Sequence, residues 1–188
     1  MARSNNSRLV ILGFLVEKPR SGYDIRKAIE ASLGNFWNES FGQIYPTLKA
    51  LEGEGLVEKT QDLQGGRAQR QAYVITHAGR ACLDEWLREP AAPQTYRVES
   101  LVKLFFGSLI GPAEARAHVA RFRAEHQALV EKYRAIGSTL DEAYSGKPGL
   151  PYWKLTVACG VEIGTAYMDW CDRAEAALAR LEEGGPHD

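Results

Sequence analysis

Three helix-patterned segments followed by two β-prone ones around a glycine pair constrain this chain more than any other feature. "SRLVILGFLVEKP" places Leu9, Leu12, Leu15 and Val16 at helical spacing and stops before Pro19. "SGYDIRKAIEASLG" opens on Ser21 with Asp24 three residues on, a reciprocal capping pattern, and ends near Gly34. "SFGQIYPTLKALEGEG" opens on a second such pair, Ser40 and Gln43, and ends at Gly53 or Gly55. "LVEKT" and "RQAYVIT" are β-prone and flank "QDLQGGRAQ", whose Gly65-Gly66 suits a hairpin loop. "THAGRACLDEWLRE" reads as a further helix capped by Thr76. This order describes a winged helix-turn-helix, in which the third helix enters the DNA major groove and the hairpin loop touches the backbone or minor groove.

The third segment therefore carries the functional expectation. At roughly 100° per residue, Ile44, Leu48 and Leu51 fall together and face a core. Gly42, Tyr45 and Lys49 lie opposite, with Gln43, Pro46 and Ala50 beside them and Ser40 at the start. That face suits close approach to DNA. Glutamine reads adenine edges, lysine meets guanine or phosphate, and tyrosine and serine bond phosphate. Any amphipathic surface helix has a polar face too, so this face alone does not decide the function. In a helix capped by Ser40, Pro46 falls in the second turn and crowds the carbonyl of Gly42. The expected result is a bent or widened first turn followed by a regular helix from Thr47 to Glu52. In the loop, Gly66, Arg67, Gln69 and Arg70 place cations and an amide at a hairpin tip. There they contact phosphate or the minor groove, or they guard the strand edges against aggregation.

"EPAAPQ", Glu89 to Gln94, interrupts everything helical around it. It divides the chain into a DNA-binding domain at 1–89, a linker at 90–96, a helical dimerisation and effector domain at 97–183, and a tail at 184–188. The fold class is mainly α, with α+β character in the first domain. "YRVESLVKLFFGSLI" reads as a helix, and Pro112 suits the first position of the next. From there Val119, Phe122, His126, Leu129, Tyr133, Ile136 and Leu140 alternate spacings of three and four, an a/d seam. The last helix repeats the pattern through Trp153, Val157, Gly160, Gly164, Tyr167 and Cys171. Such seams pack on each other or on a partner chain, and dimerisation is assigned to the first seam with Gly160 and Gly164. His126 sets register or bonds a carboxylate in the bland reading, and senses pH or ligand in the sharp one. Gly160 and Gly164 admit a facing helix, or leave room for an effector walled by Trp153, Tyr167 and Trp170.

Other classes find little support. Cys82, Cys159 and Cys171 are odd in number and form no C-x-x-C pair, which argues against a disulfide framework and zinc and fits a cytoplasmic location. There is no run of about 18 apolar residues to span a membrane, and no signal-peptide pattern. Ser100 and Lys103 match a serine-lysine motif without its companion motifs. His118, His126 and Cys159 lack metal-ligand spacing, and Gly53-x-Gly55 lacks a phosphate-loop context. No catalysis, cofactor or metal is expected. Charge is only mildly asymmetric, with 12 basic and 10 acidic residues up to Arg88 against 11 and 14 beyond it. This permits nucleic-acid binding by the first half without demanding it.

Three motifs in order carry a family resemblance: Ser21-Gly22-Tyr23-Asp24-Ile25, Tyr45-Pro46-x-Leu48-x-x-Leu51-Glu52-x-x-Gly55-Leu56-Val57, and Tyr73-x-Ile75-Thr76-x-x-Gly79. From Arg8 to Leu87 the chain resembles the winged-helix domain of PadR-type transcriptional regulators, and its second half resembles the larger PadR subtype with interlocking C-terminal helices. The resemblance implies a homodimeric repressor or, less often, activator that binds a double-stranded DNA operator and responds to a small molecule such as a phenolic acid. It also implies DNA contacts from Ser40 to Lys49 and around Gly66, Arg67 and Arg70. A winged-helix protein–protein adaptor, or a small-molecule sensor without operator specificity, are the competing readings.

Overall fold

A computed structural model describes residues 3–34, 37, 43–61, 71–93 and 96–184. The chain separates into two compact units, 1–93 and 94–188, with the division inside the proline-rich stretch.

The first unit runs α1 (Arg3–Phe14), α2 (Gly22–Ser32), α3 (Ile44–Gly53), β1 (Val57–Gln61), β2 (Gln71–Ile75) and α4 (His77–Arg88). Its core gathers one stripe from each helix, with Leu12, Ile25, Leu48 and Leu51 fully shielded from solvent. α2 begins as its sequence requires. The Ser21 hydroxyl accepts from the Asp24 amide at 3.2 Å, and the Asp24 carboxylate accepts from the Ser21 amide at 3.4 Å, closing a capping box; the Ser21 hydroxyl also donates to that carboxylate at 2.6 Å. The two strands pair antiparallel from Val57 opposite Ile75 to Gln61 opposite Gln71. Arg20 adds a short third edge: its amide donates to the Tyr73 carbonyl at 3.1 Å, and the Tyr73 amide donates back at 2.9 Å.

Pro46 is placed differently from the expectation. The α-helix starts at Ile44, with Gln43 as a cap that makes no side-chain capping bond. Pro46 thus lies in the first turn, where backbone amides have no intrahelical acceptor, so its missing N–H forfeits nothing. The expected cap at Ser40 and the crowding of Gly42 fall outside the described residues, as does the hairpin loop with Gly65 and Gly66. From Thr47 to Glu52 the helix is regular.

The second unit runs α5 (Glu99–Phe105), a 3-10 turn (Gly107–Leu109), α6 (Pro112–Ala143) and α7 (Leu150–Glu183). At 1.5 Å per residue the last two helices are about 48 and 51 Å long. They form one antiparallel hairpin within the chain. Arg116 with Glu182, Arg123 with Asp172 at 2.6 Å, and Asp141 with Lys154 at 2.8 Å pair along its length in one register. The seam assigned to dimerisation is therefore used on the chain itself. Val119, Phe122, Tyr133 and Leu140 are buried without any partner chain, and Leu129 and Ile136 sit half-buried at its edge.

Two positions of that seam need correcting. Val130, 2% exposed, takes the place expected of Leu129, and Gly137, beside Val157, takes that of Ile136. A straight helix turns every 3.6 residues, so a strict heptad drifts off the contact line and the true seam steps one residue on. Across it, large meets small: a Cβ on Gly160 would lie 2.5 Å from the Tyr133 ring, and one on Gly164 2.5 Å from Val130 Cγ2.

Candidate nucleic-acid interface

Burying Ile44, Leu48 and Leu51 turns the opposite side of α3 outward. Gln43, Tyr45, Pro46 and Lys49 are all exposed there, Tyr45 by 62% despite its ring. Ser40, Gly42, Gly66, Arg67, Gln69 and Arg70 lie outside the described residues. Among the described residues no carboxylate pairs with Lys49. Glu52, one turn further along α3, is instead engaged by Lys59 of β1 at 2.8 Å. That hydrogen bond raises the Lys59 ammonium above its ordinary pKa and ties the strand to the helix. Lys49 thus stands exposed on the outward face, where a lysine can meet phosphate.

Residues that the outward-face reading did not include surround Tyr45. Its ring lies over Gly22, at the first position of α2, and lines a shallow surface depression with Ser21, Tyr23, Gln71 and Tyr73. Beside it the Lys27 ammonium sits 4.7 Å above the Tyr23 ring, a cation–π arrangement that places a second positive charge on this side of the unit. No sequence periodicity connects Gly22 with Tyr45. The signal available was that Gly22 belongs to a short motif, Ser21 to Ile25, to which no functional role had been given.

The residues expected to wall an effector site do not converge. Trp153 makes an edge contact with Tyr144 at 5.1 Å, near the α6–α7 turn. Tyr167 and Trp170 contact the Phe122 ring edge-on at 5.3 and 6.2 Å, about 21 Å or more further along the helix. The latter two pack in the seam against Phe122. His126 is also part of that packing. Its ring stacks obliquely on Phe122 and Tyr167, and Nδ1 donates to the Phe122 carbonyl at 2.8 Å, a backbone group rather than the carboxylate expected. Lys103 of the Ser100–Lys103 pair is bound to Glu99 at 2.8 Å. Among the described residues no helix is long and apolar enough to cross a membrane.

Residues 11–85 match the model of the transcriptional regulator PadR-like family, and residues 96–179 match that of the virulence activator alpha C-terminal region. The probable transcriptional regulator Rv1176c of Mycobacterium tuberculosis (strain ATCC 25618 / H37Rv) is 30% identical over 179 residues, which span 89% of this chain and 95% of that one. The chain belongs to the PadR-like family of transcriptional regulators. Within the family, Bacillus subtilis PadR in complex with operator DNA superposes with a TM-score of 0.77 at 28% identity, covering 91% of this chain and 98% of that one. The same Bacillus protein with p-coumaric acid gives 0.72 at 25% identity, covering 92% and 98%. The Vibrio cholerae virulence activator AphA gives 0.70 at 32% identity, covering 93% and 98%.

Proposed function

We propose that this chain is a homodimeric, operator-binding transcriptional repressor that is released by a small aromatic acid. The observation that carries the reading is the outward side of α3, where Tyr45, Pro46 and Lys49, which has no carboxylate partner among the described residues, stand exposed on a helix whose other side is locked into the core. The likeness to Bacillus PadR bound to operator DNA supports it. One copy of α3 offers a small contact area, and two copies about one helical turn apart, ~34 Å, supply specificity.

The second unit supplies the means of pairing. Phe105 and Leu109 are 81% and 80% exposed. On α7, Tyr152, Leu155 and Ile163 form an exposed apolar stripe beside the one packed on α6. Contiguous apolar surface of this kind marks an interaction site. Dimerisation through it, rather than through the Val119–Leu140 seam, leaves the hairpin intact. An aromatic effector then acts by changing the spacing of the two α3 helices, a role supported by the p-coumaric acid complex of the Bacillus relative.

Binding of the purified protein to a labelled duplex from its own promoter tests this. Affinity should fall steeply as salt rises, because phosphate contacts release counterions. Salt-independent or absent binding would favour an adaptor.

A further inference from the structure

Gly22 is the first residue of α2, and nothing in its backbone calls for glycine: it is not among the positive-φ glycines Gly55, Gly111 and Gly146. A right-handed helical position accepts alanine readily, and in a helix interior prefers it by about 1 kcal/mol. What excludes a side chain is the Tyr45 ring. A Cβ on Gly22 would lie 2.7 Å from Tyr45 Cε1 and 3.1 Å from Cζ, closer than carbon atoms approach.

The two partners differ in what can yield. Gly22 is held on both sides, by the Ser21–Asp24 capping box and by the Arg20–Tyr73 backbone pair. The backbone of Tyr45 is also fixed, because Ile44, Leu48 and Leu51 anchor α3 in the core. Only the Tyr45 side chain, exposed and free to rotate about two bonds, can move away.

We propose that Gly22 is a positioning residue for DNA binding: its bare Cα seats the Tyr45 ring, and so aims the phenol hydroxyl outward from the start of α3. α2 thereby contributes to DNA recognition without itself touching DNA. The inference rests on the operator-binding reading and adds to it the reason for a glycine at this place.

The test is a double-mutant cycle of Gly22→Ala and Tyr45→Ala, read by binding to the labelled promoter duplex and by thermal melting. Gly22→Ala should melt no lower than the parent protein yet bind about tenfold more weakly, the effect of misplacing one hydrogen bond to a charged group. In the Tyr45→Ala background, Gly22→Ala should change affinity no further. Unchanged binding by Gly22→Ala, or losses that multiply in the double variant, would overturn the inference. If Gly22→Ala alone does not fold, the double variant should, because the ring is gone; a double variant that also fails to fold overturns it equally. Failure of the unsubstituted protein to bind DNA would instead sink the operator reading beneath it.

Discussion

The Thr76 hydroxyl donates to the carbonyl of Gly55 at 2.8 Å and accepts from the amide of Gly79 at 3.0 Å. One side chain thus caps α4 and fastens it to the turn between α3 and β1. Gly55 holds that turn with φ of +73°, a conformation open to glycine. Gly79 lets α4 lie against it: a Cβ there would fall 2.1 Å from the Leu56 carbonyl oxygen. The second and third family motifs are therefore two halves of one joint, which sets where α3 stands relative to the sheet.

Gly79→Ala should be strongly destabilising, because the obstacle is backbone and cannot rotate away. A loss of about 2 kcal/mol or more is expected from overpacking against an unyielding neighbour. Thr76→Ala should lose about 1 kcal/mol as a missing helix cap. Urea unfolding followed by circular dichroism measures both, and a neutral Gly79→Ala would contradict the packing described.

Gly164→Leu should open the α6–α7 hairpin, since even a Cβ meets Val130 at 2.5 Å. About 1–3 kcal/mol of destabilisation is expected. Lys154→Ala, which removes an exposed ion pair with Asp141, should change stability by about 0.5 kcal/mol or less. Thermal melts of the two variants side by side should separate packing from surface charge.

Leu155→Lys with Ile163→Lys should convert the proposed dimer to monomer in sedimentation equilibrium while leaving the helical circular dichroism spectrum intact. Both residues are exposed in the single chain, so the charges cost the hairpin little. Operator affinity should fall as the dimer is lost. A double variant that stays dimeric would move the interface elsewhere.

Cys171 has no solvent exposure, and burial, reinforced by the Glu175 and Asp172 carboxylates, pushes its thiol pKa up. A raised folded-state pKa gives stability that is complete below the unfolded value, about 8.5, and is lost as pH rises towards the folded one. The melting temperature should therefore decline above that pH, and Cys171→Ala should reduce the decline. A thiol reagent should reach Cys171 only on unfolding.

What the sequence made legible follows from range. Caps and helix faces are local, so Ser21 with Asp24, Thr76 at α4 and the burial of Ile44, Leu48 and Leu51 could be read residue by residue. The α-helix begins at Ile44, which puts Pro46 in its first turn, while the capping pattern expected at Ser40 lies outside the described residues. The long seam was misread where heptad counting and the 3.6-residue turn part company, at Leu129 and Ile136. Gly22 beneath Tyr45, and Gly79 against Leu56, join separate elements and have no periodic signature. The scattered aromatics Trp153, Tyr167 and Trp170 share a helix but not a place along it, which spacing modulo the helical turn hides.

The central claim is that the outward side of α3 reads an operator as a symmetric pair. A footprint of the purified protein on the promoter beside its own gene tests it most directly, run together with Lys49→Ala. The account predicts a protected palindrome with half-sites about one helical turn apart, and a Lys49→Ala variant that needs more protein for the same protection and loses about one unit of salt dependence. No protected site, or protection that Lys49→Ala leaves unchanged at every salt concentration, would contradict it.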